Sequence, residues 1–245
     1  MYLPLLLHIC LYALVDFLYK GVKMDNKKED FTLSEIVESD VLEKAKEKSK
    51  DFLKLMTYYK CAMMEIETKL NVMKEEFALS HDRSPIKNIS ARMKTPQAIW
   101  EKLNRYGKPQ NLSAAEEFIN DIAGVRVTCS FIEDVYMLVD SILSQDDITL
   151  VAKKDYIANP KPNGYRSLHL IVSVPIFLIN EKRTVKVEIQ FRTIAMDFWA
   201  SVEHQLRYKK DYEFTEEMAE ELLNCAKISA DLDERMGRLK QMIEK

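Results

Sequence analysis

The segment VKVEIQFR, residues 185–192, alternates without interruption between apolar and polar side chains. Successive side chains of a β-strand point to opposite faces of a sheet, so this period of two predicts a half-buried strand. The apolar set would face the core and consists of Val185, Val187, Ile189 and Phe191. The polar set would lie on the opposite face and consists of Lys186, Glu188, Gln190 and Arg192.

Two further segments show the same alternation. Residues 168–174 place Leu168, Leu170, Val172 and Val174 on one face, and INEKRT, residues 179–184, would turn the chain between this strand and the next. In residues 125–129, apolar Val125, Val127 and Cys129 alternate with Arg126 and Thr128. These segments predict a small mixed sheet, and the fold class is α/β (α+β), with helices flanking the sheet on one face.

Helical periodicity surrounds the predicted sheet. Residues 132–143 are typical of a helix, and Ser113 with Glu116 form a capping-box pattern at the start of a short helix that Asp121 would end. Two long apolar stripes at helical spacing predict long terminal helices that pack in the core or against another subunit, which makes a homo-oligomer an open alternative. The first stripe contains Phe52, Met56, Tyr59, Met63, Ile66, Leu70, Met73 and Phe77. The second contains Met218, Leu222, Cys225, Leu232, Met236, Leu239 and Ile243.

Composition narrows the class of protein. The 245 residues carry a formal net charge of -3, which disfavours a bulk nucleic-acid binder and leaves RNA binding without an indication. The four cysteines are scattered without paired spacing, as expected of reduced thiols in a cytoplasmic protein. Residues 1–23 form an apolar extension, interpreted as an upstream misassigned start or, alternatively, an anchor. Residues 24–245 would form a single domain.

Several charged side chains are expected to meet on the polar face of the predicted sheet. Each of these polar side chains, taken alone, could simply face solvent. However, Asp121 and Glu188 come from neighbouring segments of the predicted sheet, and Arg126 and His169 lie on the strands beside them. Two carboxylates are typical ligands of Mg²⁺, which takes its remaining ligands from water and phosphates. Arginine, lysine and histidine around them suit a polyphosphate.

A second basic cluster precedes a predicted helix. Thr95 is a favourable N-cap residue and Pro96 suits the first helical position. Arg92 and Lys94 lie just before the helix, and Lys102 lies on nearly the same face as Thr95. An ordinary capped helix with a basic end would explain these residues individually, whereas a helix N-terminus beside cations also favours anions.

Five segments in this order resemble the RelA/SpoT-type (p)ppGpp synthetase domain. They are RMK (92–94), DIAGVRV (121–127), KDYIANPKPNGYRSLH (154–169), VEIQFRT (187–193) and EHQLRYK (203–209). The resemblance covers roughly residues 45–235 and is strongest to the small alarmone synthetases. It implies a nucleotidyltransferase-like mixed sheet and transfer of the β,γ-pyrophosphoryl group of ATP to the 3′-hydroxyl of GDP or GTP, with release of AMP.

The resemblance also implies roles for individual residues. Asp121 and Glu188 would hold Mg²⁺, and Glu188 would help to deprotonate the attacking oxygen. The residues expected to bind ATP are Arg92 and Arg126, which would sandwich adenine, and Lys94 and Lys102, which would contact its phosphates. Those expected to bind GDP or GTP are Lys161, Asn163, Tyr165, His169, Gln190, Asp197, Glu203 and His204. The family further suggests a homotetramer. For Trp199, helix packing is the interpretation.

Two departures from the family pattern leave details open. Ala98 stands where many relatives have a serine near the ATP phosphates, and residues 152–155, AKKD, match only the second half of the basic R-x-K-D form. The choice between GDP and GTP therefore stays open. The lone pair His81-Asp82 is not interpreted as a hydrolase site, so synthetase activity alone is expected. The alternatives are another Mg-dependent nucleotidyltransferase and a catalytically silent nucleotide- or RNA-binding module.

Overall fold

The computed structural model describes residues 39–80, 83–207 and 214–243. The chain divides into two units, Met1–Leu55 and Met56–Lys245. Of the first unit, the described residues are the N-terminal part of helix α1, which spans Ser39–Ser80. The N-terminal extension and the His81-Asp82 pair lie outside the described residues. All contacts given below belong to the second unit.

The elements that follow α1 include the three predicted strands and two strands that were not predicted, at residues 86–93 and 149–155. They are β1 (Ile86–Met93), α2 (Pro96–Arg105), α3 (Leu112–Phe118), β2 (Ala123–Cys129), α4 (Ile132–Leu143), β3 (Thr149–Asp155), β4 (Leu168–Phe177), β5 (Lys182–Thr193), α5 (Ile194–Arg207) and α6 (Glu216–Ile243). The five strands form one sheet in the order β1-β2-β5-β4-β3. Only the pair β2 and β5 is parallel, so the mixed α/β fold expected from the sequence is confirmed.

The sheet has one apolar and one largely polar face. Its apolar face buries Val125, Val127, Leu168, Leu170, Val172, Val185, Val187, Ile189 and Phe191. Cross-strand register places Arg126 beside Gln190 and His169 beside Gln190 from the other side, so all three share the opposite face with Glu188. We call this the polar face. The predicted alternation is confirmed from Val185 to Gln190, where buried and less buried side chains alternate, whereas Arg192 is buried like Phe191 before it.

Helix starts were predicted correctly in one case and incorrectly in another. Thr95 caps α2, its hydroxyl accepting a hydrogen bond from the Ala98 amide over 3.3 Å. In α3, however, the cap is Asn111, whose side chain accepts from the Ala114 amide over 2.8 Å, and Ser113 lies inside the helix. The extended backbone of Asn111 directs its side chain onto the first turn, a geometry that a residue within the helix lacks.

Two boundaries also differ from the prediction. Helix α3 ends at Phe118, so Asp121 follows it in a short connection to β2 instead of ending the helix. Strand β5 begins at Lys182, so the chain reverses earlier than INEKRT suggests, with the Leu178 amide bonded to the Glu181 carbonyl over 2.8 Å.

The two long helices bury their apolar stripes to different extents. From Met56 onwards, α1 buries Tyr59, Ile66, Leu70 and Met73, as predicted for a core helix. Helix α6 instead buries Ala226 and Asp233, while Leu232 is 51% and Ile243 85% exposed. Over its C-terminal half the described residues leave this second stripe exposed, so the predicted packing in the chain's own core is wrong there and the alternative, burial against another subunit, stays a prediction. Among the described helices, none is long and apolar enough to cross a membrane.

Candidate active site

Asp121 lies where β1, α2 and the start of β2 meet. The Lys94 amide donates to the Ile122 carbonyl over 2.8 Å, which fixes the end of β1 against the segment that carries Asp121. The side chains of Lys94 and Lys102 each donate to a different oxygen of the Asp121 carboxylate over 2.8 Å. Burial raises the pKa of Asp121, but the hydrogen bonds and charges of the two lysines outweigh it and hold the pKa below its ordinary value.

Glu188 occupies the middle of the polar face. Its Oε1 lies 3.1 Å from Nδ1 of His169, and its Oε2 accepts from Gln190 over 2.8 Å. Burial raises the pKa of Glu188, but the interactions with His169 and Gln190 outweigh it and keep the pKa below the ordinary value. Glu188 and Asp121 are therefore both ionised at neutral pH.

A chain of hydrogen bonds connects Glu188 to Tyr165. A carboxylate only accepts, so His169 carries its proton on Nδ1, and in the neutral ring Nε2 accepts from the Tyr165 hydroxyl over 2.8 Å. The same hydroxyl accepts from Nη2 of Arg192 over 2.9 Å. Arg192 also donates to Asp197 over 2.9 Å, and Arg126 donates to the same carboxylate oxygen over 3.1 Å.

The 159–167 loop presents Tyr165 beside the polar face. Gly164 has a positive φ of 87°, and its amide donates to the Lys161 carbonyl over 2.8 Å, closing a turn. The Lys161 ammonium lies 4.6 Å from the ring centroid of Tyr156 and 4.8 Å from that of Tyr165. Asn163 contacts Glu203 of α5 over 3.4 Å. The loop thus carries a cation above two aromatic rings.

Arg92 and Arg126 project from the polar face of neighbouring strands. Arg126 lies opposite Ser90 in the β1–β2 pair, so Arg92, two residues further on, is its diagonal neighbour. Such neighbours are separated by about 7–8 Å.

The two carboxylates suit a hard cation. The negative charge of Asp121 raises the pKa of Glu188, so the two groups are close enough to interact. Both are ionised oxygen donors of the kind that Mg²⁺ prefers. The described residues contain no group of three or more His, Cys, Asp or Glu side chains that could hold a metal ion. A cation bound between Asp121 and Glu188 would therefore take further ligands from water or from a phosphorylated substrate.

Comparison with known proteins identifies the family of this chain. Residues 91–213 match the region found in RelA / SpoT proteins. GTP pyrophosphokinase YwaC of Bacillus subtilis is 42% identical over 194 residues, which cover 79% of this chain and 92% of that protein. The chain belongs to the RelA/SpoT family.

Solved structures of the family agree with this assignment. Small alarmone synthetase 1 from Bacillus subtilis bound to its product pppGpp matches with a TM-score of 0.74 and 34% identity, over 80% of this chain and 100% of that one. Small alarmone synthetase 2 from the same organism matches with a TM-score of 0.71 and 42% identity, over 78% and 99%. The RelA/SpoT fold is thus shared over most of the described chain.

The structure brings the site residues expected from the sequence together only in part. Asp121, Lys94 and Lys102 form one cluster, and Glu188, His169, Gln190, Tyr165 and Asp197 form a second one with Arg126. His204 lies on α5 about two turns after Asp197, on nearly the same side of the helix, and its side chain is exposed. Trp199 is buried and donates to the Leu222 carbonyl over 2.8 Å, which confirms its packing role.

Two side chains of the candidate site were not predicted from the sequence. Arg192 holds both Tyr165 and Asp197, and its place in the polar set of β5 was the signal that could have identified it. Tyr156 contacts both Tyr165 and His169 edge-to-face, with ring centroids 6.1 and 5.4 Å apart. Because aromatic rings are common at strand ends, Tyr156 carried no local signal of its own.

Proposed function

We propose that this protein transfers the β,γ-pyrophosphoryl group of ATP to the 3′-hydroxyl of GDP or GTP, making (p)ppGpp and AMP. The single observation that supports this most strongly is the pair of ionised carboxylates Asp121 and Glu188, with ammonium groups on one side and the 159–167 loop on the other. The relatives named GTP pyrophosphokinase and the structure bound to pppGpp support the same reaction.

ATP would bind at the β1–β2 side of the polar face. Arg92 and Arg126, spaced as diagonal neighbours, would stack on either side of adenine. Lys94 and Lys102 would exchange their contacts with Asp121 for contacts with the phosphates, since an ammonium group accommodates either anion. This exchange would release the Asp121 carboxylate at the moment when the polyphosphate arrives.

The guanine nucleotide would bind at the 159–167 loop. Tyr165 would stack on the guanine, and Lys161 above its ring would neutralise acceptor phosphates. His169, Gln190, Asp197, Asn163, Glu203 and His204 would line the same side. The Asp197 carboxylate already accepts from two arginines, so its direct contact with a ligand depends on whether Arg126 turns towards adenine.

We propose that Asp121 and Glu188 hold Mg²⁺, which would neutralise the charge that develops on the transferred phosphates. The lowered pKa of Glu188 favours a ligand over a general base, because a weakly basic carboxylate takes up the proton of an attacking hydroxyl poorly. Positioning of the acceptor hydroxyl, rather than its prior deprotonation, would then dominate the rate.

Purified protein with Mg²⁺, γ-labelled ATP and GDP or GTP tests the reaction. Label should move to the guanine nucleotide with release of AMP, and Glu188→Gln should abolish the transfer. Release of pyrophosphate from ATP would favour another nucleotidyltransferase reaction, and binding without turnover would favour a silent module. The ratio of rates with GDP and GTP measures the acceptor preference.

Further parts of the proposal concern the whole chain. Residues 24–245 would act as one synthetase domain without hydrolase activity, in the cytoplasm and without a stable membrane partner. The matched Bacillus subtilis relatives are covered over 92% and 91% of their length by similar sequence, which supports a synthetase of small size. Incubation with pppGpp alone should release no pyrophosphate.

The exposed stripe of α6 supports a homo-oligomer, a tetramer by analogy with the family, built through the terminal helices.

A further inference from the structure

Both neighbours of Tyr165 in the chain rest on helix α6. On one side, Gly164 lies so close to the helix that a Cβ atom at this position would be 2.4 Å from Cβ of Ala226 and 3.2 Å from a methyl group of Leu223. On the other side, the Arg166 guanidinium lies 3.9 Å from the carboxylate of Asp233. The 159–167 loop therefore lies against α6 immediately before and immediately after Tyr165, by close packing at Gly164 and by a long ion pair without a hydrogen bond at Arg166.

Asp233 also joins α6 to the sheet. The Thr193 hydroxyl, at the end of β5, donates to Asp233 over 2.7 Å, and the same hydroxyl oxygen accepts from the Met196 amide over 3.1 Å. Thr193 is fully buried and the Asp233 side chain is only 7% exposed. One carboxylate thus connects the end of β5, the start of α5 and the residue that follows Tyr165.

A purely stabilising role does not account for a carboxylate at this position. Burial raises the pKa of Asp233, and the hydrogen bond from Thr193 and the charge of Arg166 compensate only in part. A carboxyl group whose folded pKa exceeds its unfolded value stabilises the fold below the unfolded pKa and loses that contribution as the pH rises through the folded pKa. At neutral pH the ionised group therefore costs stability, and an uncharged residue would serve packing better.

We propose that Asp233 is a positioning residue for the guanine nucleotide: through Arg166 and Thr193 it fixes the 159–167 loop so that Tyr165 stands ready to stack on the base. The inference rests on the proposed function of that loop. It assigns part of the acceptor specificity to α6, a helix that contributes none of the residues predicted to contact substrate.

Calorimetric binding of GDP and of a non-hydrolysable ATP analogue to the full chain tests this role without requiring turnover. Asp233→Ala should weaken GDP binding about tenfold while the affinity for the ATP analogue stays within about twofold. The matched control is Asp231→Ala, on the same helix, where the exposed carboxylate pairs with Arg235 over 2.7 Å. It should leave both affinities unchanged.

Two further variants separate positioning from folding. Asp233→Asn keeps an oxygen that accepts from Thr193 but loses the attraction to Arg166, so it should weaken GDP binding with a melting temperature no lower than that of the wild type. The double variant Arg166→Ala/Asp233→Ala should bind GDP no more weakly than whichever single variant binds it more weakly. The reason is that each substitution breaks the same contact, the one between Arg166 and Asp233. Sedimentation should show that each variant assembles as the wild type does.

The outcomes distinguish the two proposals. Unchanged GDP affinity in Asp233→Ala, or equal weakening of both nucleotides, would overturn the positioning role. If Tyr165→Ala weakens GDP binding while Asp233→Ala does not, the guanine site stands and only the role of α6 fails. A wild-type chain that binds ATP analogue but no guanine nucleotide would overturn the proposed function itself.

Discussion

Arg192 donates a hydrogen bond to the hydroxyl of Tyr165 over 2.9 Å, across 27 residues of sequence. The hydroxyl in turn contacts His169, which contacts Glu188. Tyr165 thus has two distinct parts, a ring that faces Lys161 and Tyr156 and a hydroxyl that belongs to the network around a predicted metal ligand. The two parts can be tested separately.

Tyr165→Ala is expected to raise the apparent KM for GDP about tenfold to a hundredfold and to change that for ATP little. Base–aromatic stacking contributes about 1–3 kcal/mol per base, which corresponds to this range. Initial rates at varied GDP and at varied ATP measure both constants. Equal weakening of the two nucleotides would mean that Tyr165 acts through packing.

Tyr165→Phe separates the hydroxyl from the ring. The sequence alone predicts a mild effect, since the ring remains. The hydrogen bonds from Arg192 and to His169 lead us to expect a lowered kcat with a KM for GDP near that of the wild type, because the partners of Glu188 lose their orientation. A KM raised as far as in Tyr165→Ala would assign the binding contribution to the hydroxyl.

Asp121→Asn and Glu188→Gln should each abolish pyrophosphoryl transfer while the protein stays folded. Each substitution keeps the shape of the side chain and removes one negative charge from a site proposed to hold a dication. Transfer assays at saturating Mg²⁺ and far-ultraviolet circular dichroism measure the two properties. Asp231→Asn, at an exposed position of α6, serves as the control and should be fully active. Substantial activity in either folded active-site variant contradicts the metal-ligand assignment.

The stability of the fold should depend on the ionisation of Asp121. Its folded pKa lies below the unfolded value, so its stabilising contribution is present above the unfolded pKa of about 3.9 and is lost as the pH falls through the folded pKa. The melting temperature of Asp121→Asn should therefore lie below that of the wild type at neutral pH, and the gap should narrow as the pH falls below about 4. Thermal melts over this range measure the gap, and a constant gap would show that the lysine contacts of Asp121 do not stabilise the fold.

Self-association should depend on the exposed stripe of α6. Leu232, Met236 and Leu239 lie on one side of the helix and are 51%, 46% and 51% exposed. Because each of these side chains is already about half buried, covering its remaining surface with a second copy would contribute about 0.8–1.5 kcal/mol. Leu232→Glu/Leu239→Glu should therefore shift the protein to smaller species in sedimentation at micromolar concentration. Ile179→Glu, at a fully exposed position before β5, is the control. A wild-type monomer would refute the proposed oligomer.

The sequence predicted those parts of the molecule that short-range periodicity determines. Alternation in residues 185–192 predicted β5, and Thr95 with Pro96 predicted the start of α2, because a period or a cap acts within one or two turns. Asn111 was missed because two competing cap residues lie two positions apart, and only the backbone conformation of Asn111 decides between them.

Contacts between distant residues could not be predicted in the same way. Arg192 contacts Tyr165 across 27 residues of sequence, and Asp233 contacts Thr193 across 40. No local pattern distinguishes Asp233 from the other acidic residues of an amphipathic helix. The stripe of α6 shows the same limit, because periodicity predicts which side chains share a face but not whether the face is covered by the same chain.

Gly164 illustrates how two separate constraints can meet at one position. Its positive φ strains any side-chain-bearing residue, and the space that a Cβ would need is already filled by Ala226. A larger side chain at position 226 would collide with the backbone of Gly164. Glycine is already the smallest residue, so no substitution at position 164 could make room for it. Any redesign of this protein must therefore choose the residues at positions 164 and 226 together. The turn that precedes Tyr165 thus limits which substitutions the C-terminal helix can accept.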